Sequence, residues 1–220
     1  MIIESSTDDD GWRWYDNKVS VTTILSNTIA NPKLSEWYKK NSANRIETVR
    51  AKTATFGTDA HKYFEKILLG EEFEPASEYR PHVNFFRKWV EKNNVKAFHV
   101  EKNLVSEKLG VAGTCDFIGE INGEPFIADW KTSTRYNITN GYQLAAYRMM
   151  AMENGLIGEC GIMGVQIDRN TADIKTFEYE HIDFVEDAFL NTLDLFKAVY
   201  FHKLKKLEWP WRMAKTMKRI

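Results

Sequence analysis

Hydrophobic positions along the chain change their period near residue 95. Before that point they recur at helical spacing, and from residue 96 to about 132 apolar and polar residues alternate as they do in strands. Beyond residue 132, helical and strand segments follow each other in turn. The predicted helices cover about 31–40, 54–69, 80–93, 139–154 and the segment from Asp183 onward. The predicted strands cover 96–106, 111–121, 124–132, 159–168 and 173–180. This order predicts a mixed α/β (α+β) fold, with a small central mixed sheet flanked by helices.

The clearest turn signal lies between the second and third predicted strands. Asn122-Gly123 is typical of a two-residue type I′ hairpin turn. In that register Ile121 faces Glu124 and Glu120 faces Pro125, a position where the missing N–H of proline costs no hydrogen bond. Continued along the strands, the same register places Asp116 opposite Asp129.

Two aspartates facing each other across a sheet repel, and one of them is pushed toward protonation. A bound divalent cation removes this conflict, because Mg²⁺ and Mn²⁺ take carboxylate oxygens as ligands. Alternation places Lys131 on the same face as Asp116 and Asp129. There its ammonium can orient a water or stabilise charge on a phosphate. The simpler alternative is that Lys131 only forms a salt bridge with the aspartates.

Composition excludes several classes of protein. The 220 residues suit one domain, and the net charge of −1 does not favour a passive nucleic-acid coat protein. Cys115 and Cys160 are the only cysteines and have no CxxC spacing, which argues against a disulfide framework, a structural zinc or an iron–sulfur cluster. There is no signal core, no membrane-length apolar run and no phosphate loop for ATP. We therefore expect a protein of a bacterial or phage-infected host cytoplasm, with no membrane contact and no ATP.

Four short motifs, in this order, resemble the PD-(D/E)XK nuclease superfamily. They are Gly57-Thr-Asp-Ala-His61-x-x-x-Glu65, Gly113-Thr-Cys-Asp116, Ala128-Asp-Trp-Lys-Thr-Ser133 and Gln143-Leu-Ala-Ala-Tyr147. The closer resemblance is to the RecB-type exonuclease branch, including phage exonucleases and the mitochondrial genome maintenance exonuclease. It covers about residues 57–150, and it implies a restriction-endonuclease-like core.

The resemblance also implies roles for individual residues. Asp116, Asp129 and Lys131 would be catalytic. The ligands of one or two Mg²⁺ or Mn²⁺ ions would be His61, Asp116, Asp129 and the backbone carbonyl of Trp130, with Glu65 as a possible addition and Glu101 as a weaker candidate. Gln143 and Tyr147 would contact substrate and brace the site, although both could equally belong to a packing surface. Arg135, which flanks the hairpin, is a further candidate for contact with a DNA backbone.

We accordingly expect residues 1–220 to form a single nuclease domain. Its core would be 54–180, with an N-terminal extension over 1–50 and a C-terminal helix and basic tail over 181–220. The expected activity is metal-dependent hydrolysis of DNA phosphodiester bonds in replication, recombination or repair, by an exonuclease acting on single strands or DNA ends. The alternatives are a structure-selective endonuclease and a non-catalytic DNA-binding recombination module.

Overall fold

The computed structural model describes residues 4–206, with side chains through Leu204. Its strands are β1 (Ser5–Thr7), β2 (Arg13–Tyr15), β3 (Lys18–Ser20), β4 (Lys96–Ser106), β5 (Val111–Ile121), β6 (Glu124–Lys131), β7 (Gly161–Ile167) and β8 (Ile174–Glu178). Its helices are α1 (Val21–Thr28), α2 (Pro32–Lys40), α3 (Ala43–Leu68), α4 (Arg80–Lys92), α5 (Thr139–Glu153), α6 (Ile182–Val199) and α7 (Phe201–Lys206). The fold is therefore mixed α+β, as predicted.

All eight strands belong to one mixed sheet. Its order is β1-β2-β3-β5-β6-β7-β8, and β4 pairs with β5 along the other edge of that strand. The β3–β5 and β6–β7 pairs are parallel and the remaining pairs are antiparallel. The sheet is larger than predicted, because the segment expected to be an N-terminal extension contributes three of its strands.

Helices cover both faces of the sheet. On one face α1, α5 and α6 bury Ile24, Leu144 and Phe189 against β5 and β6 residues such as Ile118. On the other face α3 and α4 bury Phe64 and Phe86 in a separate cluster. The candidate functional residues lie where α3 and α5 reach the sheet.

Most of the predicted elements agree with the structure to within a few residues. Asn31 caps α2 by accepting a hydrogen bond from the Leu34 N–H, as the Asn-Pro pair predicted. Helix α1 was not predicted, and two of the predicted helices differ from the structure. Helix α3 begins at Ala43, well before residue 54, and the long C-terminal helix is interrupted at Tyr200. The basic tail beyond Lys206 lies outside the described residues.

In residues 4–206, no helix combines the length and hydropathy needed to cross a bilayer.

Candidate metal centre

Strand β5 has a gap along one edge. Its first residues pair with β3 as far as Ala112, and its last residues pair with β6 from Phe117 onward. Among the described residues no strand pairs with this edge between those two points, and the Gly113-Thr-Cys-Asp116 motif occupies the gap. The motif therefore lies at an opening in the sheet, where side chains rather than a neighbouring strand meet the edge of β5.

The hairpin register was predicted correctly. Asn122 and Gly123 have φ angles of 54° and 86°, as a type I′ turn requires, and Glu120 pairs with Pro125. The ladder ends at Phe117–Ala128, one pair short of the predicted Asp116–Asp129 pair. Beyond that point the Trp130 N–H donates to Asp116 Oδ2 at 2.8 Å. The two strands thus separate at the aspartates, and a side chain replaces the ladder.

Three potential metal ligands converge on this opening. His61 of α3 places Nδ1 3.7 Å from Glu101 Oε1 and 3.5 Å from Asp116 Oδ2. One ligand atom from each residue lies within 4.8 Å of the other two. Adjacent ligands of an octahedral cation bound at about 2.1 Å are roughly 3 Å apart and opposite ligands roughly 4 Å, so the observed spacing suits such an ion.

Glu101 has an unusual backbone for a strand residue. Its φ is 47°, in the left-handed region that non-glycine residues seldom adopt. Strand β4 nevertheless continues on both sides of it. Such strain costs energy, and it is retained where the surroundings or a function impose it. Here it accompanies a carboxylate directed at His61. From the sequence Glu101 was only a weaker candidate ligand, because a glutamate in an alternating strand ordinarily indicates a solvent-facing position.

Asp129 and Lys131 form the second part of the site. Lys131 Nζ lies 2.5 Å from Asp129 Oδ2 and donates to Gln143 Oε1 at 3.1 Å. Gln143 Nε2 in turn donates to Asp129 Oδ1 at 2.9 Å and to the Tyr147 hydroxyl at 3.1 Å. Gln143 therefore fixes the position of Asp129 relative to Lys131. Asp129 itself is not a member of the three-ligand group, which consists of His61, Glu101 and Asp116.

The charges in the site change several pKa values. Burial alone would lower the pKa of His61, but the charge of Asp116 and a hydrogen bond with Glu101 raise it to about 9. Burial raises the pKa of Asp129 to about 6, and the Asp116 charge adds to that effect. Burial would also lower the pKa of Lys131, yet the charges of Asp129 and Asp116 raise it. Without a cation, His61 and Lys131 are therefore both protonated at neutral pH.

The remaining predicted site residues are Glu65, Arg135, Gln143, Tyr147 and Trp130. Partial burial raises the pKa of Glu65, one helical turn beyond His61, and the charge of nearby Glu101 raises it further. Arg135 is exposed in the loop after β6, where its carbonyl accepts a hydrogen bond from Ser133. Tyr147 and Gln143 are buried and brace the site, and the Trp130 ring lies in the α3–α4 core.

Tyr136 is a neighbour of the site that the sequence did not indicate. Its ring stacks on Phe177 with centroids 4.0 Å apart, and its hydroxyl approaches the backbone of Gly164 so closely that any Cβ there would collide with it. Burial raises the pKa of Tyr136, and the charge of Asp129 adds to the shift. A glycine inside strand β7 was the available signal, because it indicates a close approach by another group.

Packing explains why the Gly113-Thr-Cys-Asp116 motif begins with glycine. A Cβ at Gly113 would lie 2.7 Å from Cε1 of Tyr147, whose ring is buried and cannot move aside. We predict that Gly113→Ala lowers the free energy of unfolding by about 1–3 kcal/mol, the usual range for overpacking. Urea denaturation measures this. Gly158→Ala is the control, since a Cβ there meets no atom within 4 Å. Equal stability of the two variants would contradict the packing explanation.

The donor set suits a hard divalent cation. It contains two carboxylates and one imidazole. Nearby Asp129 Oδ2 is buried and pairs with the Lys131 charge, but it accepts no well-aligned hydrogen bond among the described residues. Carboxylate oxygens are usual ligands of Mg²⁺, Ca²⁺ and Mn²⁺, and imidazole is a usual ligand of Zn²⁺, Cu²⁺, Fe²⁺ and Ni²⁺. The cluster could therefore hold a divalent metal ion.

Comparison of the sequence with protein-family models and with curated proteins finds no match. The geometry of the site must therefore carry any assignment of function.

Proposed function

We propose that this chain is a Mg²⁺- or Mn²⁺-dependent deoxyribonuclease, an exonuclease that acts on single-stranded DNA or on DNA ends. One observation carries the proposal. A three-residue ligand group lies beside an aspartate–lysine pair, at the gap that β5 leaves between its described neighbours β3 and β6. Metal binding alone requires only the ligand group. The adjacent ammonium, held in place by Gln143, is what suits a reaction at phosphate.

A bound Mg²⁺ or Mn²⁺ would supply Lewis-acid activation of water and would offset charge on the phosphate. His61, Glu101 and Asp116 would hold the ion, with Asp129 Oδ2 available as a further oxygen ligand. The raised pKa of Lys131 indicates an ammonium in the metal-free protein, so this residue donates hydrogen bonds.

An ammonium carries three N–H donors. In Lys131 one is donated to Gln143 Oε1, and the ammonium forms an ion pair with Asp129 Oδ2, so a donor remains for a phosphate oxygen or the attacking water. The buried Tyr147 hydroxyl and Gln143 keep this geometry without themselves being exposed to substrate. The chain's own contribution is therefore to place one fixed positive charge beside the ion.

The direct test is a time course of cleavage of a single-stranded oligonucleotide labelled at either end. We expect progressive shortening in Mg²⁺ or Mn²⁺ and none in excess chelator. A circular single strand should persist, because an exonuclease cannot start on it. Cleavage of the circle would instead indicate an endonuclease, and stable binding of DNA without turnover in either metal would indicate a non-catalytic module.

Metal binding should release a proton. His61 has a pKa of about 9 in the metal-free protein, and only its neutral imidazole can bind a cation. We therefore predict that the apparent affinity for Mn²⁺ rises about tenfold for each pH unit between pH 7 and the pKa, and then levels off.

Calorimetry in buffers of different ionisation enthalpy measures this effect, as a release of close to one proton per ion at about pH 7.5. His61→Asn, which cannot be protonated, should bind more weakly and show less pH dependence over this range. A wild-type affinity that does not change between about pH 7 and pH 8.5 would contradict the role of His61.

A further inference from the structure

Residues 31–55 carry a net positive charge that the rest of the described chain lacks. This basic segment covers α2 and the first half of α3, and it contains two acidic and six basic residues. The basic residues are Lys33, Lys39, Lys40, Arg45, Arg50 and Lys52. The other residues between 4 and 206 include 20 basic and 28 acidic ones. A separation of charge on this scale directs a polyanion to one part of the surface.

None of these six cations is neutralised within the described part of the protein. All six are exposed, and none forms a salt bridge among residues 4–206. Cations elsewhere are used differently, since Lys18, Lys131 and Arg148 each pair with a carboxylate. An exposed cation without a partner attracts an anion from outside, and no salt bridge has to be broken first.

Helix α2 contributes no side chain to either hydrophobic core. None of its residues is buried, and Trp37 and Tyr38 belong to neither of the two clusters that cover the sheet. Their rings lie next to each other, with centroids 5.5 Å apart, and both remain partly exposed. Tryptophan and tyrosine offer a large contact area with a polar edge, and they are enriched at binding interfaces. Two such rings outside the core indicate contact with a partner.

The cations of α2 lie beside these rings. Lys33, Trp37 and Lys40 are separated by four and three residues, so they share one side of the helix. Along the helix axis Lys33 and Lys40 are about 10.5 Å apart, which is about the length of three stacked nucleotides. Glu36, the one acid of α2, forms no salt bridge with either lysine in the described structure. This side of α2 thus presents a ring between two cations, and the Tyr38 ring lies next to it.

This combination suits single-stranded DNA. Proteins bind single strands by stacking bases on aromatic rings and by neutralising the phosphates with nearby cations. A lipid surface is the other extended anionic partner, but it binds a helix through a broad apolar face. In α2 that face would consist of Leu34 and the two rings alone. The rings and the unpaired cations therefore favour a nucleic acid strand over a membrane.

The basic segment leads directly to the metal centre. Helix α3 begins at Ala43, two residues after α2 ends, and it runs about 27 Å from there to His61. Arg50 precedes His61 by eleven residues, or three helical turns, so both side chains lie on the same side of α3. Ala54 and Thr58 lie between them on that side, and both are small and exposed. A strand can therefore pass from the metal centre to Arg50, and about eight stacked nucleotides cover the distance to α2.

We infer that the basic segment binds the single-stranded DNA on which the proposed nuclease acts, at a distance from the bond that is cleaved. Bases stack on Trp37 and Tyr38. Phosphates pair with Lys33 and Lys40, and Arg50 contacts the strand between α2 and the metal centre. The inference rests on the proposed function, because it assigns the place where that enzyme holds the rest of its substrate.

The first test measures binding without catalysis. A labelled single strand of about 20 nucleotides, long enough to reach from the metal centre to α2, is titrated with metal-free protein in chelator. Fluorescence anisotropy is the readout, and the titration is repeated across a salt series. One variant combines Lys33→Gln with Lys40→Gln, and the other combines Trp37→Ala with Tyr38→Ala. Both variants leave the two hydrophobic cores intact.

Matched controls come from α4. Lys88→Gln with Lys92→Gln removes two exposed lysines, and Phe85→Ala removes a ring that is 46% exposed. These controls change the same kinds of side chain on a helix outside the basic segment, so we expect little change in affinity from either.

The two variants of α2 should differ in their dependence on salt. The lysine variant should weaken binding about tenfold, and the slope of log affinity against log salt should fall by about 1.4, since each single-strand phosphate contact contributes about 0.7. The ring variant should also weaken binding about tenfold. Its slope should match that of wild type, because it removes no charge.

Substrate length gives a second readout. At substrate concentrations below KM in Mn²⁺, wild type should cleave the strand of about 20 nucleotides about tenfold faster than one of about five, which is too short to reach α2. Both α2 variants should lose this difference and keep the wild-type rate on the short strand.

Variants that match the controls in affinity, slope and length preference would overturn the role of the basic segment and leave the nuclease proposal standing. Wild-type protein that binds vesicles of phosphatidylserine and phosphatidylcholine, but not the oligonucleotide, would assign the segment to a membrane and overturn the inference. Wild-type protein that neither binds the oligonucleotide nor cleaves it in Mg²⁺ or Mn²⁺ would overturn both proposals.

Discussion

Lys131→Gln should lower the rate of Mg²⁺-dependent cleavage by roughly 10³-fold, the range expected for loss of one charged group that acts in the transition state. Glutamine keeps an N–H donor for Asp129 but removes the positive charge, so the loss reports on charge. Single-turnover cleavage of an end-labelled oligonucleotide, with metal at saturation, measures the chemical step.

Two controls separate catalysis from folding. Lys96→Gln removes an exposed lysine of the same sheet, 3.5 Å from Glu120, and should leave the rate unchanged. Thermal unfolding of Lys131→Gln should show a folded protein at the assay temperature, although loss of a buried ion pair lowers its stability. A folded Lys131→Gln with wild-type turnover would remove this residue from the mechanism.

Asp116→Asn should leave the metal-free chain at least as stable as wild type, while it removes metal binding and cleavage. Burial raises the pKa of Asp116, and the charge of Glu101 adds to this, so the ionised carboxylate at neutral pH is less stable in the folded chain than in the unfolded chain. Asparagine removes that charge and can still accept the Trp130 N–H. In chelator, we therefore expect the variant to unfold at a temperature equal to or above that of wild type.

Added Mn²⁺ should reverse the order of the two unfolding temperatures, so that wild type becomes the more stable protein. A cation that binds only the folded chain stabilises it by about 2.7 kcal/mol at a concentration about one hundred times its Kd, and Asp116→Asn should gain little of this. Its cleavage should also fall below detection. Asp187→Asn, an exposed substitution on α6, should match wild type in both conditions. Equal stabilisation of Asp116→Asn and wild type by Mn²⁺ would exclude Asp116 as a ligand.

The hairpin was predictable because its signals are local. The turn type depends on Asn122 and Gly123 alone, and the period-two pattern then sets which residues pair. The same is true of α2, where Asn31 and Pro32 are adjacent in the chain. Lys131 was placed beside Asp129 by alternation alone, and their ion pair agrees with that placement.

The features that the sequence did not predict depend on contacts between residues that are far apart in the chain. Strands β1 to β3 have three residues each, too few to show a period, and they are held by pairing with one another and with β5. The gap at Asp116 exists because β3 takes the place of β6 along part of β5. The left-handed backbone of Glu101 lies in β4, on the other edge of β5, and it too has no local sequence signal.

Anomalous scattering from a crystal soaked in Mn²⁺ tests the central claim most directly. We expect a peak within bonding distance of His61, Glu101 and Asp116, in protein from a preparation that shortens DNA when Mn²⁺ is present. A map with no peak where β5 and β6 separate, from protein that leaves every oligonucleotide intact, would contradict the claim.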